Sequence, residues 1–324
     1  MPRGIDLHYP FPSRISPDYE RARSAHLRWP RRFELLETVW AAERHTRADY
    51  AGLAARFYPT AVGADLDLGV DLMSWYFLFD DPFDGPLGED LHQVRRLTRA
   101  MVHALDRDPE PSAEPIVRAF ADLWERSCAG MSRTWRYRAA GHWRAYFSGY
   151  VTEAEHRIHG VRLSADGHLR LRRDTIGVQP TIDLAERLGH YEVASRVFFS
   201  EHLTAMRLIA AEVDTLHNDV CSVEKEEAIG DLNNMVLIVE REQGCDRPTS
   251  VAVVSWMLRE RVERFLALES GIPALCSELR LSPAQRHDVD RYVADALRTV
   301  MRGDLDWAEQ SGRYDAEQSA LLPD

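Results

Sequence analysis

Cysteine is scarce in this 324-residue chain: Cys128, Cys221, Cys245 and Cys276 lie far apart, with no CxxC pair and no Cys/His cluster. That pattern excludes a thiolate zinc site and a disulfide scaffold, and it suits reduced core thiols in a cytoplasmic protein. Long apolar runs are missing as well. No stretch reaches 18 uninterrupted apolar residues, so no membrane span is expected, and the N-terminal MPRGIDLHYPFPSR has no apolar signal core. Positive charge is in short supply: 40 Lys and Arg against 52 Asp and Glu give a net charge of −12. This balance argues against a nucleic-acid or anionic-membrane partner, although a bound metal can reverse the sign locally for a small anion. A glycine-rich phosphate loop of the P-loop type is absent, which disfavours a nucleotide. No Gly- or Ser-rich linker and no internal repeat divides the chain.

What is present is helical periodicity. The segments 63–80, 132–160, 197–228, 249–269 and 282–310 carry it, and Ser16 with Pro17 suggests an N-cap and first turn for another helix. Prolines such as Pro59, Pro109, Pro111, Pro248, Pro273 and Pro283 punctuate these segments. The β-like run VAVV (251–254) sits inside a longer helical pattern, so no strand is assigned. With 45% apolar residues a sizeable core can form. The expectation is one all-α domain over 1–324, with residues 1–15 and 312–324 extended or mobile.

Chemistry concentrates in two acidic segments. In FLFDDPFDG (77–85), Asp80, Asp81 and Asp84 follow an apolar run at the end of a helix, where carboxylates face the negative end of the macrodipole. Asp80 and Asp84 stand four apart, and two carboxylates about 6 Å apart suit oxygen-loving Mg²⁺. Pro82 should end or kink the helix, which makes Asp80 the firmer ligand and leaves the direction of Asp84 open. Taken alone, the segment is equally an acidic solvated turn. On the Asp80 face, helical spacing brings Phe77, Tyr76 and Met73, an apolar wall that fits a pocket or plain core packing.

In HNDVCSVEKEE (217–227), Asn218, Ser222 and Glu226 step by four, so three oxygens share one stripe of a helix. An amide carbonyl, a hydroxyl and a carboxylate form a ready Mg²⁺ site, and Lys225 adds a cation beside it. A polar helix face explains the charged residues but not two poor helix formers at this spacing. Arg172 and Arg173 precede a mid-pattern Gly177, and Arg313-Tyr314 lies near the C-terminus. Acidic metal sites plus scattered cations suit a diphosphate, with guanidinium forks on its oxygens.

Together these motifs resemble the bacterial class I terpene synthases. Asp80-Asp81-Pro82-Phe83-Asp84 matches the aspartate-rich motif of that family, and Asn218, Asp219, Ser222 and Glu226 match its N-D-x-x-S-x-x-x-E motif without a gap. The resemblance places the diphosphate-sensing arginine on Arg173, the linker and effector on Ile176 and Gly177, and a C-terminal pair on Arg313 and Tyr314. It implies a helical bundle around a deep apolar cavity, farnesyl diphosphate as substrate, and three Mg²⁺ held by Asp80, Asp84, Asn218, Ser222 and Glu226. It further implies that Arg173, Lys225, Arg313 and Tyr314 bind the diphosphate. The partner expected is thus a small isoprenoid diphosphate and, from the charge, no nucleic acid, with monomer and homodimer both open. Phe77, Trp307 and Tyr76 are the candidate carbocation-facing aromatics, and Gly177 would turn its carbonyl to the developing cation. Tyr76, Pro82 and Ala308 depart from the expected residues and bear on the product, not on the reaction class.

Rival assignments find less support. A C20 cyclase remains as an alternative substrate length. A chain-elongating prenyltransferase should carry a second D-D-x-x-D. A di-iron bundle needs two E-x-x-H motifs, and only Glu153-x-x-His156 occurs. The His287-Asp288 pair lacks the partner histidines of a phosphohydrolase.

Overall fold

The computed structural model describes residues 9–110 and 112–313, and among these residues every regular element is a helix. The fold is all-α. Helix Gly63–Asp80 buries Leu66, Leu68, Val70, Leu72, Met73, Trp75 and Phe79, so its apolar residues point in nearly every direction. A helix of that kind is stable only when neighbours enclose it. Those neighbours are Tyr50–Phe57, Pro115–Cys128 and Val178–Gly189. Helix Glu201–Ala228 is the second enclosed element, packed by Ala165–Thr175, Arg247–Ser270 and Arg298–Gln310.

An aromatic block fastens the first helix. Trp75 stacks on Phe79 at 4.8 Å and meets the edges of Trp143 and Phe147 at 5.6 and 6.1 Å. Offset and edge-on contacts of this type add about 0.5–1.5 kcal/mol each beyond burial. They fix the rotation of the helix and so the direction of Phe77 and Asp80 on its other face, while Tyr76 joins the block by stacking on Trp143 at 5.5 Å.

Three expected boundaries move. The segment 197–228 is not one helix: a short turn Ser195–Phe198 precedes Glu201–Ala228, because the Ser200 hydroxyl caps the Leu203 amide at 3.2 Å. Ser16 is not an N-cap. Its hydroxyl donates to the Ala61 carbonyl at 2.7 Å and accepts from the Asp18 amide, and the helix Tyr19–Ala25 begins later. The segment 282–310 runs as Pro283–Tyr292, a π-helical turn Val293–Leu297, and Arg298–Gln310. A π-turn adds a residue to the turn and rotates the helix beyond it. No helix among the described residues is long and apolar enough to cross a membrane.

Candidate active site

The acidic end of Gly63–Asp80 behaves as Pro82 requires. The α-helix stops at Asp80, and Asp81–Asp84 tightens into a 3₁₀ turn with Pro82 in its first positions. Asp80 and Asp84 both line a cavity of about 450 Å³. Asp80 accepts from the Tyr150 hydroxyl at 2.7 Å, and burial together with the charge of Asp84 raises its pKa. Asp81 has another role. It accepts from Arg44 at 2.9 Å and from Arg313 at 2.7 Å, and although burial opposes ionisation these guanidiniums hold its carboxyl below the usual range.

The opposite wall is the unbroken C-terminal half of Glu201–Ala228. Asn218, Ser222 and Glu226 line the same cavity, as their four-residue spacing requires. Ser222 donates to the Asn218 carbonyl at 2.7 Å, and Asn218 Oδ1 accepts from Arg172 at 3.1 Å. Glu226 accepts from Asn234 at 2.9 Å, and burial and nearby Asp219 push its carboxyl up to about 7. Asp219 itself is a structural pin, taking the His168 ring and the Met235 amide. The two walls touch: Lys225 Nζ donates to Asp84 Oδ2 at 2.7 Å across the mouth.

Of the expected diphosphate ligands, Lys225 and Arg313 reach this cavity, and Tyr314 lies outside the described residues. Arg173 does not reach it. Its guanidinium pairs with Glu212, which also takes Arg261. The adjacent Arg172 lies at the cavity wall instead, because neighbouring helix residues diverge by about 100°. Arg157, Arg44 and Glu153 also line the cavity. The sequence offered no spacing signal for Arg157 and Arg44, and marked Glu153 only through the Glu153-x-x-His156 pair weighed for a di-iron site; His156 lines the cavity as well.

A second chamber of about 130 Å³ lies deeper and shares Phe77, Asp80, Tyr150, Arg172 and Asn218 with the first. Met73, Tyr76, Tyr146, Ile176, Val178 and Trp307 help to wall it. The indole of Trp307 is held by donation to the Ala48 carbonyl at 2.8 Å, and its ring lies 5.7 Å from Phe77. Tyr76 resolves the need of its hydroxyl by donating to the Gly177 carbonyl at 3.1 Å. That carbonyl also accepts from Thr181 Oγ1 at 2.9 Å, so in this state it is committed rather than presented to the chamber. Gly177 has φ +80°, and a Cβ there would press on the Tyr76 ring at 3.2 Å; both conditions select glycine.

Among the described residues no three His, Cys, Asp or Glu side chains converge as a metal cluster. The donor set is instead mixed and all-oxygen: carboxylates on one wall, with amide, hydroxyl and carboxylate on the other. Such donors fit a hard divalent cation, and the mutual repulsion of Asp80 and Asp84 is the charge that a cation relieves. Polar walls above an aromatic chamber can hold a charged head group while enclosing an apolar tail.

Comparison with known proteins agrees. Residues 71–264 match the model of terpene synthase family 2, C-terminal metal binding. The chain is 54% identical to pentalenene synthase of Streptomyces avermitilis over 98% of its own length and 95% of that protein. It is 41% identical to the (−)-β-caryophyllene synthase, (2E,6E)-farnesyl diphosphate cyclizing, of Saccharothrix espanaensis, over 98% and 91% of the two chains. The crystal structure of germacradien-4-ol synthase from Streptomyces citricolor superposes with a TM-score of 0.86 at 36% identity, covering 94% of this chain and 98% of that one.

Proposed function

The chain belongs to the terpene synthase family, and from that premise we propose that it is a magnesium-dependent sesquiterpene cyclase, which ionises farnesyl diphosphate and closes the cation to a cyclic C15 hydrocarbon or alcohol. The observation that carries this reading is the joining of two oxygen walls to one aromatic chamber through a shared neck. Asp80, Asn218, Ser222 and Glu226 would hold Mg²⁺, with Asp84 once Lys225 exchanges its partner for the diphosphate, and three ions are the expected number. Bound metal supplies Lewis-acid stabilisation of the departing diphosphate.

The chain's own side chains do the rest. Arg172, Lys225 and Arg313 donate to diphosphate oxygens, and their charge is aimed at the leaving group before it departs. Arg172 takes this role in preference to Arg173 because only Arg172 lies at the neck. Phe77 and Trp307 offer ring faces to the cation, worth about 0.5–2 kcal/mol each. Tyr76 contributes its ring while its hydroxyl stays bound to Gly177 and is kept from attacking the cation. The apolar part of the chamber, walled by Leu53, Phe57, Met73, Ile176, Val178 and Trp307, would shield the reactive intermediate from water.

The reading is tested by incubating purified protein with farnesyl diphosphate and Mg²⁺ under a pentane overlay, followed by gas chromatography. A cyclic C15 product that disappears with EDTA is expected. No C15 product, or turnover that EDTA leaves unchanged, would reject it. A C20 diphosphate serves as the competing substrate.

A further inference from the structure

The stripe on Glu201–Ala228 does not end at Asn218. One further step of four reaches Asp214, about 6 Å deeper along the axis at 1.5 Å per residue. Asp214 is 5% exposed and lines the deep chamber. Its Oδ1 has no hydrogen-bond partner, although it is buried. A carboxyl buried for structural reasons is normally hydrogen-bonded, because an unpaired one has lost its water and gained nothing in return. Burial and the negative charge of Asp304 push its pKa well above the carboxylate range, which favours the protonated form.

Asp304 reaches the same chamber from helix Arg298–Gln310. It sits one turn before Trp307, hence on the same face. Its Oδ2 accepts from His217 Nδ1 at 2.5 Å, and the other ring nitrogen of His217 lies 3.5 Å from Cys221 Sγ. The buried Tyr9 hydroxyl completes the group, and Arg302 is the nearby cation. Asp80, Arg172 and Asn218 are among the residues that the chamber shares with the first cavity, so Asp214 and Asp304 are the carboxyls it holds apart from that cavity, beside Met73, Ile176, Val178 and Trp307.

We propose that Asp304 is the base that ends the reaction, with Asp214 as its neutral companion and His217 as the positioning residue. In this step a C–H bond beside the cationic carbon breaks. Its electron pair becomes the product alkene, and its proton passes to Asp304 Oδ1. The C–O electron pair has already left with diphosphate, so farnesyl cation minus one proton gives a neutral C15H24 hydrocarbon. Because a base acts where it stands, the location of Asp304 fixes which hydrogen is lost.

This inference rests on the cyclase reading. Its test compares diphosphate release with product composition for the unsubstituted enzyme, Asp304→Asn and Asp214→Asn, all with Mg²⁺ and farnesyl diphosphate. In Asp304→Asn the share of the main hydrocarbon should fall about tenfold or more, replaced by alkenes deprotonated elsewhere or by alcohols, while diphosphate release falls no more than about threefold. Asp214→Asn, isosteric with a neutral acid, should shift the product ratio in the same direction by about two- to fivefold. An unaltered product ratio in Asp304→Asn would overturn the inference and pass the role to diphosphate. A parallel collapse of release and of every product would overturn it too, by placing Asp304 in ionisation or in the fold. If the unsubstituted enzyme releases no diphosphate, the parent reading fails with it, which is a different and earlier result.

Discussion

The two acidic walls of the cavity are built on opposite plans. On the wall at the end of Gly63–Asp80 a proline breaks the helix, and each carboxylate is satisfied from elsewhere: Asp80 by Tyr150, Asp81 by Arg44 and Arg313, Asp84 by Lys225. On the Glu201–Ala228 wall the helix is continuous, and its register sets the three oxygens in line, with Arg172 and Asn234 donating to Asn218 and Glu226. The first wall is therefore adjustable, because its ion pairs can be exchanged for a cation and an anion. The second is fixed, because moving one oxygen means unwinding a buried helix. A cavity that must grip a charged head group and then close benefits from one wall of each kind.

If that contrast is right, substitutions on the fixed wall do the most damage. Asn218→Ala or Glu226→Gln should lower Mg²⁺-dependent turnover on the order of 10³-fold, about 4 kcal/mol, with the helical circular dichroism retained. On the adjustable wall the effects should separate. Asp80→Asn should cost about 10²-fold, whereas Asp84→Asn should cost about 10-fold and mainly raise the Mg²⁺ concentration needed for half-maximal rate, since Asp84 is shared with Lys225. Equal losses at Asp80 and Asp84 would erase the distinction between a firm and an exchangeable ligand.

A sharper test lies between neighbours. Arg172→Gln should reduce the rate about 10²-fold through lost charge-assisted bonds to the diphosphate, and Arg173→Gln only about threefold through its pairing with Glu212. Steady-state rates of the two variants decide it. A larger loss at Arg173 would mean that closure swings it inward and would restore the assignment drawn from the sequence.

That pair also shows where the sequence was readable. Four-residue spacing is helix geometry, so the stripe at Asn218, Ser222 and Glu226 could be read directly, as could the enclosed helix 63–80 from its richness in apolar residues. Helical geometry held further signals. His168, Arg172 and Thr175 are spaced by four and three, and all three line the joined chambers, which marks Arg172 over Arg173. The same step of four leads back from Asn218 to Asp214. The partners of Asp81 were not legible at all, because Arg44 and Arg313 lie 37 and 232 residues away and only the folded chain brings them in. The expected turn of the Gly177 carbonyl toward the cation was unreadable for another reason: it depends on the Tyr76 hydroxyl, whose partner is set by tertiary packing.

The smallest expected effect concerns what stands behind the adjustable wall. His45 is 4% exposed, with its Nε2 3.1 Å from Ser74 Oγ, and it packs edge-on to Tyr50 at 4.8 Å. Burial, followed by the charges of nearby basic groups, pushes its pKa down to about 3. A histidine depressed in the folded state contributes stability that is fully present above its ordinary value near 6.5 and is lost as pH falls toward about 3. The slope can reach at most about 1.4 kcal/mol per pH unit, and water entry on partial opening will reduce it. Melting temperature should therefore fall between pH 7 and 5.5, and His45→Gln, which keeps a polar group opposite Ser74 without a titrating ring, should show a flatter decline. The fixed wall supplies the control, since Asn218→Ala leaves His45 in place and should keep the unsubstituted slope. Equal slopes in the unsubstituted protein and His45→Gln would remove this imidazole from the account and leave the adjustable wall supported by its ion pairs and aromatic backing alone.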